Sequence, residues 1–172
     1  MIPRGIALVV VAGCMLLMAA TVEATELSGS WKGSLTGSDG RSGEVQVDFG
    51  PQGFPLYSYT NNKGVVRQVE LSHVGQTVEY VPAGGGVQRV VVKSLEKGQG
   101  RLAIGIGGSF ERASQGYLDQ QQKITLIEYA LTPEGLAMKV TTRSTSHFGD
   151  KDMSVGGDPN SAVAEGLLQK LP

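Results

Sequence analysis

The chain has 172 residues, with fifteen Lys or Arg against sixteen Asp or Glu and a formal charge of −1. That balance supplies no long-range field to steer nucleic acid or an anionic membrane toward it, so neither is expected as a partner. Its 25 glycines stand far above the usual share of about 7%, follow no collagen-like period, and fall mostly at turns, which is an all-β habit.

The first residues read as an export signal. Arg4 supplies a positive charge, Ile6 to Ala20 is apolar, and Val22-Glu23-Ala24 offers a cleavage site, so residues 1–24 are expected to be removed. The mature protein would be periplasmic or secreted, without a stable membrane span. Two alternatives stay open. Gly5 to Val22 is uncharged and long enough for an uncleaved anchor, and Val11-Ala12-Gly13-Cys14 resembles a lipobox that would acylate Cys14. Cleavage after Ala24 removes the only cysteine, and with it any disulfide, thiolate nucleophile or cysteine metal cluster.

From Leu27 onward, turn clusters such as Gly37-Ser38-Asp39-Gly40, Asn61-Asn62-Lys63-Gly64 and Gly98-Gln99-Gly100 separate short alternating segments. The first, 27–35, holds the only tryptophan: Leu27, Gly29, Trp31, Gly33 and Leu35 point one way and Ser28, Ser30, Lys32 and Ser34 the other. Further strands are expected at about 42–49, 54–60, 65–73, 76–82, 87–95, 101–111, 121–131 and 136–146. Inward faces follow from the alternation: Val45, Val47 and Phe49; Val65, Val69 and Leu71; Val78 and Tyr80; Leu102, Ile104, Ile106 and Phe110; Leu136, Met138 and Val140. Segment 121–131 breaks the pattern, with Ile124 and Leu126 on one side and Ile127, Tyr129 and Leu131 on the other, so a bulge or burial on both faces is expected.

An antiparallel up-and-down meander of about eight to ten such strands exposes its edges unless the last strand closes on the first. The expected fold of residues 25–146 is therefore an all-β barrel, with a two-sheet sandwich as the alternative. Residues 147–172 are expected to form a loop and a short C-terminal helix, opened by Asp158-Pro159 and striped by Val163, Leu167 and Leu171. Its landing place would be the outward track Ala103, Gly105, Gly107, Ser109, poor in side chains, with Leu167 and Leu171 over Gly105 and Gly107.

Gly29-Ser30-Trp31 at the head of an exported meander resembles the Gly-x-Trp opening of the calycin superfamily, the lipocalin-like and avidin-like barrels. The resemblance implies a barrel in which that tryptophan closes one end. Lipocalins pair it with an arginine near the final strand. Arg143 stands at about that place, but with the parity opposite to Met138 and Val140.

Few residues suggest chemistry. His73 and His147, the two histidines, have no ligand partners in sequence, so no metal is expected. No Gly-x-Ser-x-Gly elbow and no phosphate-cradling glycine loop before a helix is present, and neither an enzyme nor a cofactor is expected. Asp150, Asp152, Ser154 and Asp158 follow a calcium-loop spacing, but Val155 and Ser161 stand where glycine and glutamate are required. The polar oddities are Arg67 and Tyr80 on inward faces. With Trp31 they form the candidate ligand-binding set for a small apolar or amphiphilic molecule, which needs a cavity. The alternative is a non-enzymatic interaction barrel with a filled interior, such as an inhibitor of an exported hydrolase, whose loops carry Phe54-Pro55-Leu56-Tyr57 and Ser58-Tyr59-Thr60 as anchors toward another exported protein.

Overall fold

Alternation between apolar and polar residues, interrupted by turn residues, leaves the chain little choice but strands. A computed structural model describes residues 27–114, 117–150, 153–156 and 160–172. Its elements are β1 (Gly29–Gly37), β2 (Ser42–Phe49), β3 (Leu56–Thr60), β4 (Val66–Glu70), β5 (Thr77–Tyr80), β6 (Val87–Gly98), β7 (Arg101–Ser114), β8 (Tyr117–Thr132), β9 (Gly135–Asp150), β10 (Met153–Gly156) and β11 (Asn160–Lys170). Tight turns set the register. Gly98 pairs with Arg101 across Gln99 and Gly100, and Gly100 takes the positive φ of 62° that this two-residue connection demands.

One antiparallel sheet runs β2-β1-β11-β9-β8-β7-β6-β5, with β10 also on β9, and β3-β4 forms a separate two-stranded sheet. From β5 to β9 each neighbour is the next strand in sequence, the up-and-down order expected. The last strand does meet the first, as β11 pairs with both β9 and β1. The sheet is nevertheless not closed, which corrects the expected barrel. Its free edges are β2 and β5, because the chain between them folds back on itself as the short β3-β4 hairpin. That hairpin is tied to the end of β2 by the Phe49–Pro55 bridge and to the end of β5 by the Asn62 amide, which donates to the Val81 carbonyl at 2.7 Å.

The open sheet still curls around a core. Phe49 on β2 and Tyr129 on β8 stand four strand intervals apart in the sheet, about 19 Å if it were flat. Their rings meet edge to face with centroids 5.3 Å apart. The same cluster holds Trp31, Val90, Val92, Leu102, Ile104, Leu136, Met138 and Leu168, all buried, and Leu102, Ile104, Leu136 and Leu168 are at most 1% exposed. Leu27, Leu71 and Val78 complete the cluster from just before β1, just after β4 and β5.

Three further expectations change. The C-terminal segment 160–170 is strand β11 instead of a helix, and its opening dipeptide Asp158-Pro159 lies outside the described residues. Val163, Leu167 and Leu171 are spaced by four, and four is also a multiple of two, so the same residues share one face of a strand. Leu167 consequently lies opposite Ala137 on β9, three strands from Gly105 and Gly107, while Leu168 fills the core. The glycines of β7 have another cause. A bulge in β6 between Val92 and Ser94 swings Ser94 and Lys93 over the strand, so a Cβ at Gly105 would collide with the Ser94 hydroxyl and one at Gly107 would sit 2.9 Å from Lys93 Cε. Finally, β8 pairs with β7 and β9 without interruption, and neither a bulge nor burial on both faces resolves Ile124 and Leu126. They simply point outward, 63% and 38% exposed. Val65, expected inward, is also exposed. Among the described residues no helix is long and apolar enough to cross a membrane.

Candidate functional site

Residues directly opposite each other on antiparallel neighbours point to the same face, so the register maps the outside of the sheet. Leu102, Tyr129 and Met138 are buried in the core; their chain neighbours Ala103, Glu128 and Lys139 therefore face out. One outward row runs Glu96, Ala103, Glu128, Lys139, Glu165 from β6 to β11, and the row beside it runs Arg101, Ala130, Ala137, Leu167. Two more rows follow along the strands: Ser94, Gly105, Leu126, Thr141, Val163, then Val91, Gly107, Ile124, Arg143, Ser161.

The first two rows line an open groove of about 960 Å³. Ala103, Ala130 and Ala137 keep its floor low, and three acidic side chains (Glu96, Glu128, Glu165) stand beside two basic ones (Arg101, Lys139), whereas Lys97 shares the inward face with Leu102. Lys139 stands directly between Glu128 and Glu165 in the row, yet the salt bridges among the described residues do not include it. Aliphatic contact and charge of both signs in an open trough suit an extended peptide or another protein's surface better than a small molecule, which binds where most of its own surface can be enclosed.

The residues singled out from sequence are not brought together at this groove. Trp31 is 7% exposed on the inner side of β1, its indole N–H donating to the Ser28 carbonyl at 3.1 Å. The cation beside its ring is Lys170, its register partner on β11, with Nζ 5.5 Å from the centroid. Arg143 faces outward opposite Ile124. Tyr80 joins Tyr57 and Tyr59 instead: the Tyr59 and Tyr80 rings stack at 4.4 Å, and the Tyr57 and Tyr80 hydroxyls lie 3.1 Å apart. Burial first, and the Tyr80 hydroxyl second, push the Tyr57 phenol well above its usual range. Arg67 pairs in register with Tyr59 but emerges into solvent, so it borders this tyrosine stack without entering a lumen. The expected anchors of the β2–β3 segment are engaged internally as well. Phe54 lies under Lys97 Nζ at 4.5 Å, and the amides of Gln52 and Phe54 both donate to Glu70 Oε1.

No protein-family model, curated protein or solved structure matches this chain. His73 is exposed beside Ser72, and among the described residues no group of three or more His, Cys, Asp or Glu is placed to hold a metal. Of the calcium-like spacing, Asp152 and Asp158 lie outside the described residues. The groove residues escaped sequence reasoning because alanine, lysine and glutamate on the wet side of a strand look like ordinary solvated surface. The one usable signal was Ile124 and Leu126, aliphatic residues with outward parity.

Proposed function

We propose that this is an exported, non-catalytic binding protein that meets a protein partner through the outer face of β6 to β9 and β11; an exported hydrolase under inhibition is one form such a partner takes. The observation that carries the reading is where side chains fill space and where they leave it. Inside, Leu102, Ile104, Leu136 and Leu168 have almost no exposed surface and Phe49 reaches Tyr129 across the core, so an enclosed apolar ligand would have to displace well-packed residues. Outside, a groove with an alanine floor and a charged rim adjoins the exposed side chains of Ile124, Leu126 and Leu167. Exposed apolar surface rimmed by charge is characteristic of a protein-binding face. The apolar run from Ile6 to Ala20 behind Arg4 supports export.

The test is site-directed photocrosslinking in cells that make the protein. A photoreactive residue at Ala130 or Ala137 is expected to capture a protein adduct, while the same residue at Lys63, exposed in the turn of the β3-β4 hairpin, captures none. Equal yields from all three positions would overturn the outer face as the binding surface.

A further inference from the structure

We infer that one partner of this face is a second copy of the chain, packed sheet to sheet about a two-fold axis. The inference rests on the outer face being the binding surface and goes further by naming its occupant. It starts from a ridge and a low strip side by side. Ile124 and Leu126 stand on β8 directly opposite Gly107 and Gly105 on β7, and the ridge is exposed in mid-strand, Ile124 at 63%. The strip is low because its residues have no side chains. The space that a Cβ would take is filled by the Ser94 hydroxyl at Gly105 and by the Lys93 stem at Gly107, both from the β6 bulge, so the strip stays lower than the ridge without being empty.

Place a two-fold axis between two such faces, parallel to the strands and midway between β7 and β8. The operation carries β8 of the second copy over β7 of the first at the same height. Ile124 of the second copy then falls over Gly107 and the Lys93 methylenes, and Leu126 of the second copy over Gly105. The same operation carries β9 over β6. In the row Glu96, Ala103, Glu128, Lys139, Lys139 of the second copy therefore falls opposite Glu96, and the symmetry makes this pair twice. Arg101 of the second copy falls over Ala130, two residues along β8 from Glu128. Relief and charge are thus complementary under a single rotation, which is what an isologous interface requires. An unrelated partner gives no reason for Lys139 and Glu96 to lie in one row at equal distances on either side of the ridge and strip. Sheets pack aligned in this way about 10 Å apart. Because the sheet curls away from the axis on either side, β7 and β8 make the closest contact and the interface is small for a specific one, so weak, concentration-dependent association is expected.

Sedimentation velocity of the full chain, as recovered from an expressing host, is the first measurement. The weight-average mass is expected to rise from one chain toward two across the micromolar range, and Ile124→Lys with Leu126→Lys to hold it at one chain with the thermal midpoint retained. Zero-length carbodiimide coupling of mixed ¹⁴N- and ¹⁵N-labelled chains is the second. A mixed-isotope peptide joining Glu96 to Lys139 is expected, and Glu96→Gln should remove it. A chain that stays monomeric throughout, a dimer indifferent to Ile124 and Leu126, or mixed-isotope links that avoid Glu96 and Lys139 would each overturn the inference. A monomer that still yields adducts from Ala130 and Ala137 would overturn the self-association alone and leave the outer face as a binding surface for another protein.

Discussion

Trp31 shows how much of the fold rests on single side chains. It is buried beside Val47 of β2 and Lys170 of β11, its register partners, with its N–H satisfied locally by Ser28. Truncating it to alanine removes a large ring from a filled core and should cost about 3–5 kcal/mol, read as a lower urea midpoint at unchanged slope. Equal midpoints would show that the ring is not core. Gly166 makes the opposite demand, since a Cβ there would collide with the Ser34 carbonyl on β1. Gly166→Ala is therefore expected to destabilise by about 1–3 kcal/mol through overpacking of the β1–β11 seam, in the same urea measurement. Two tyrosines give the stability a pH dependence. Burial holds the Tyr129 phenol neutral above its usual range near 10.0, and burial with the Tyr80 hydroxyl does the same for Tyr57. The native state then keeps protons that the unfolded chain has released, so the tyrosines' contribution to stability should be level below about pH 10 and fall above it. Tyr129→Phe should make that fall shallower. A urea midpoint that rises, or stays level, as the pH passes about 10 would contradict the assignment.

Among the elements, β11 carries the most weight for its length, because it joins β9 to β1 and fills the core with Leu168. A chain stopped after residue 158 should lose its cooperative thermal transition altogether, whereas an appended segment would cost only part of it. Legibility in the sequence followed periodicity and failed where periodicity is ambiguous. Leu102, Ile104, Leu136 and Met138 were readable as core because their strands alternate without interruption. The inward pair Val90 and Val92 was not, because the β6 bulge shifts the inward set from even to odd positions, with Leu95 inward beyond it. Spacing by four disguised β11 as a helix for the same kind of reason. Closure failed differently: alternation specifies faces, but whether β3 and β4 join the sheet depends on tertiary contacts such as the Glu70 carboxylate gathering the amides of Gln52 and Phe54. The groove was invisible one strand at a time, because Ala103, Ala130 and Ala137 become neighbours only when the β7–β8 and β8–β9 registers are both known.

At the scale of the whole molecule, the sheet spends its apolar side chains on a filled interior and turns small and charged residues outward. A curled sheet of this kind resembles a ligand-carrying barrel in sequence, since both alternate along every strand, and the two differ in whether the inward residues meet. Here they meet, Phe49 against Tyr129 from strands far apart in the sheet. The outer face is then the proposed binding surface, and charges of both signs in its groove would suit a protein of mixed charge better than a polyanion. Trp31 reports on the interior directly. Titrating the protein with fatty acids, retinoids and haem while following Trp31 fluorescence should give no saturable quenching. Saturable quenching by any of them, with the ligand protecting Trp31 from acrylamide, would place a ligand inside and contradict the filled core.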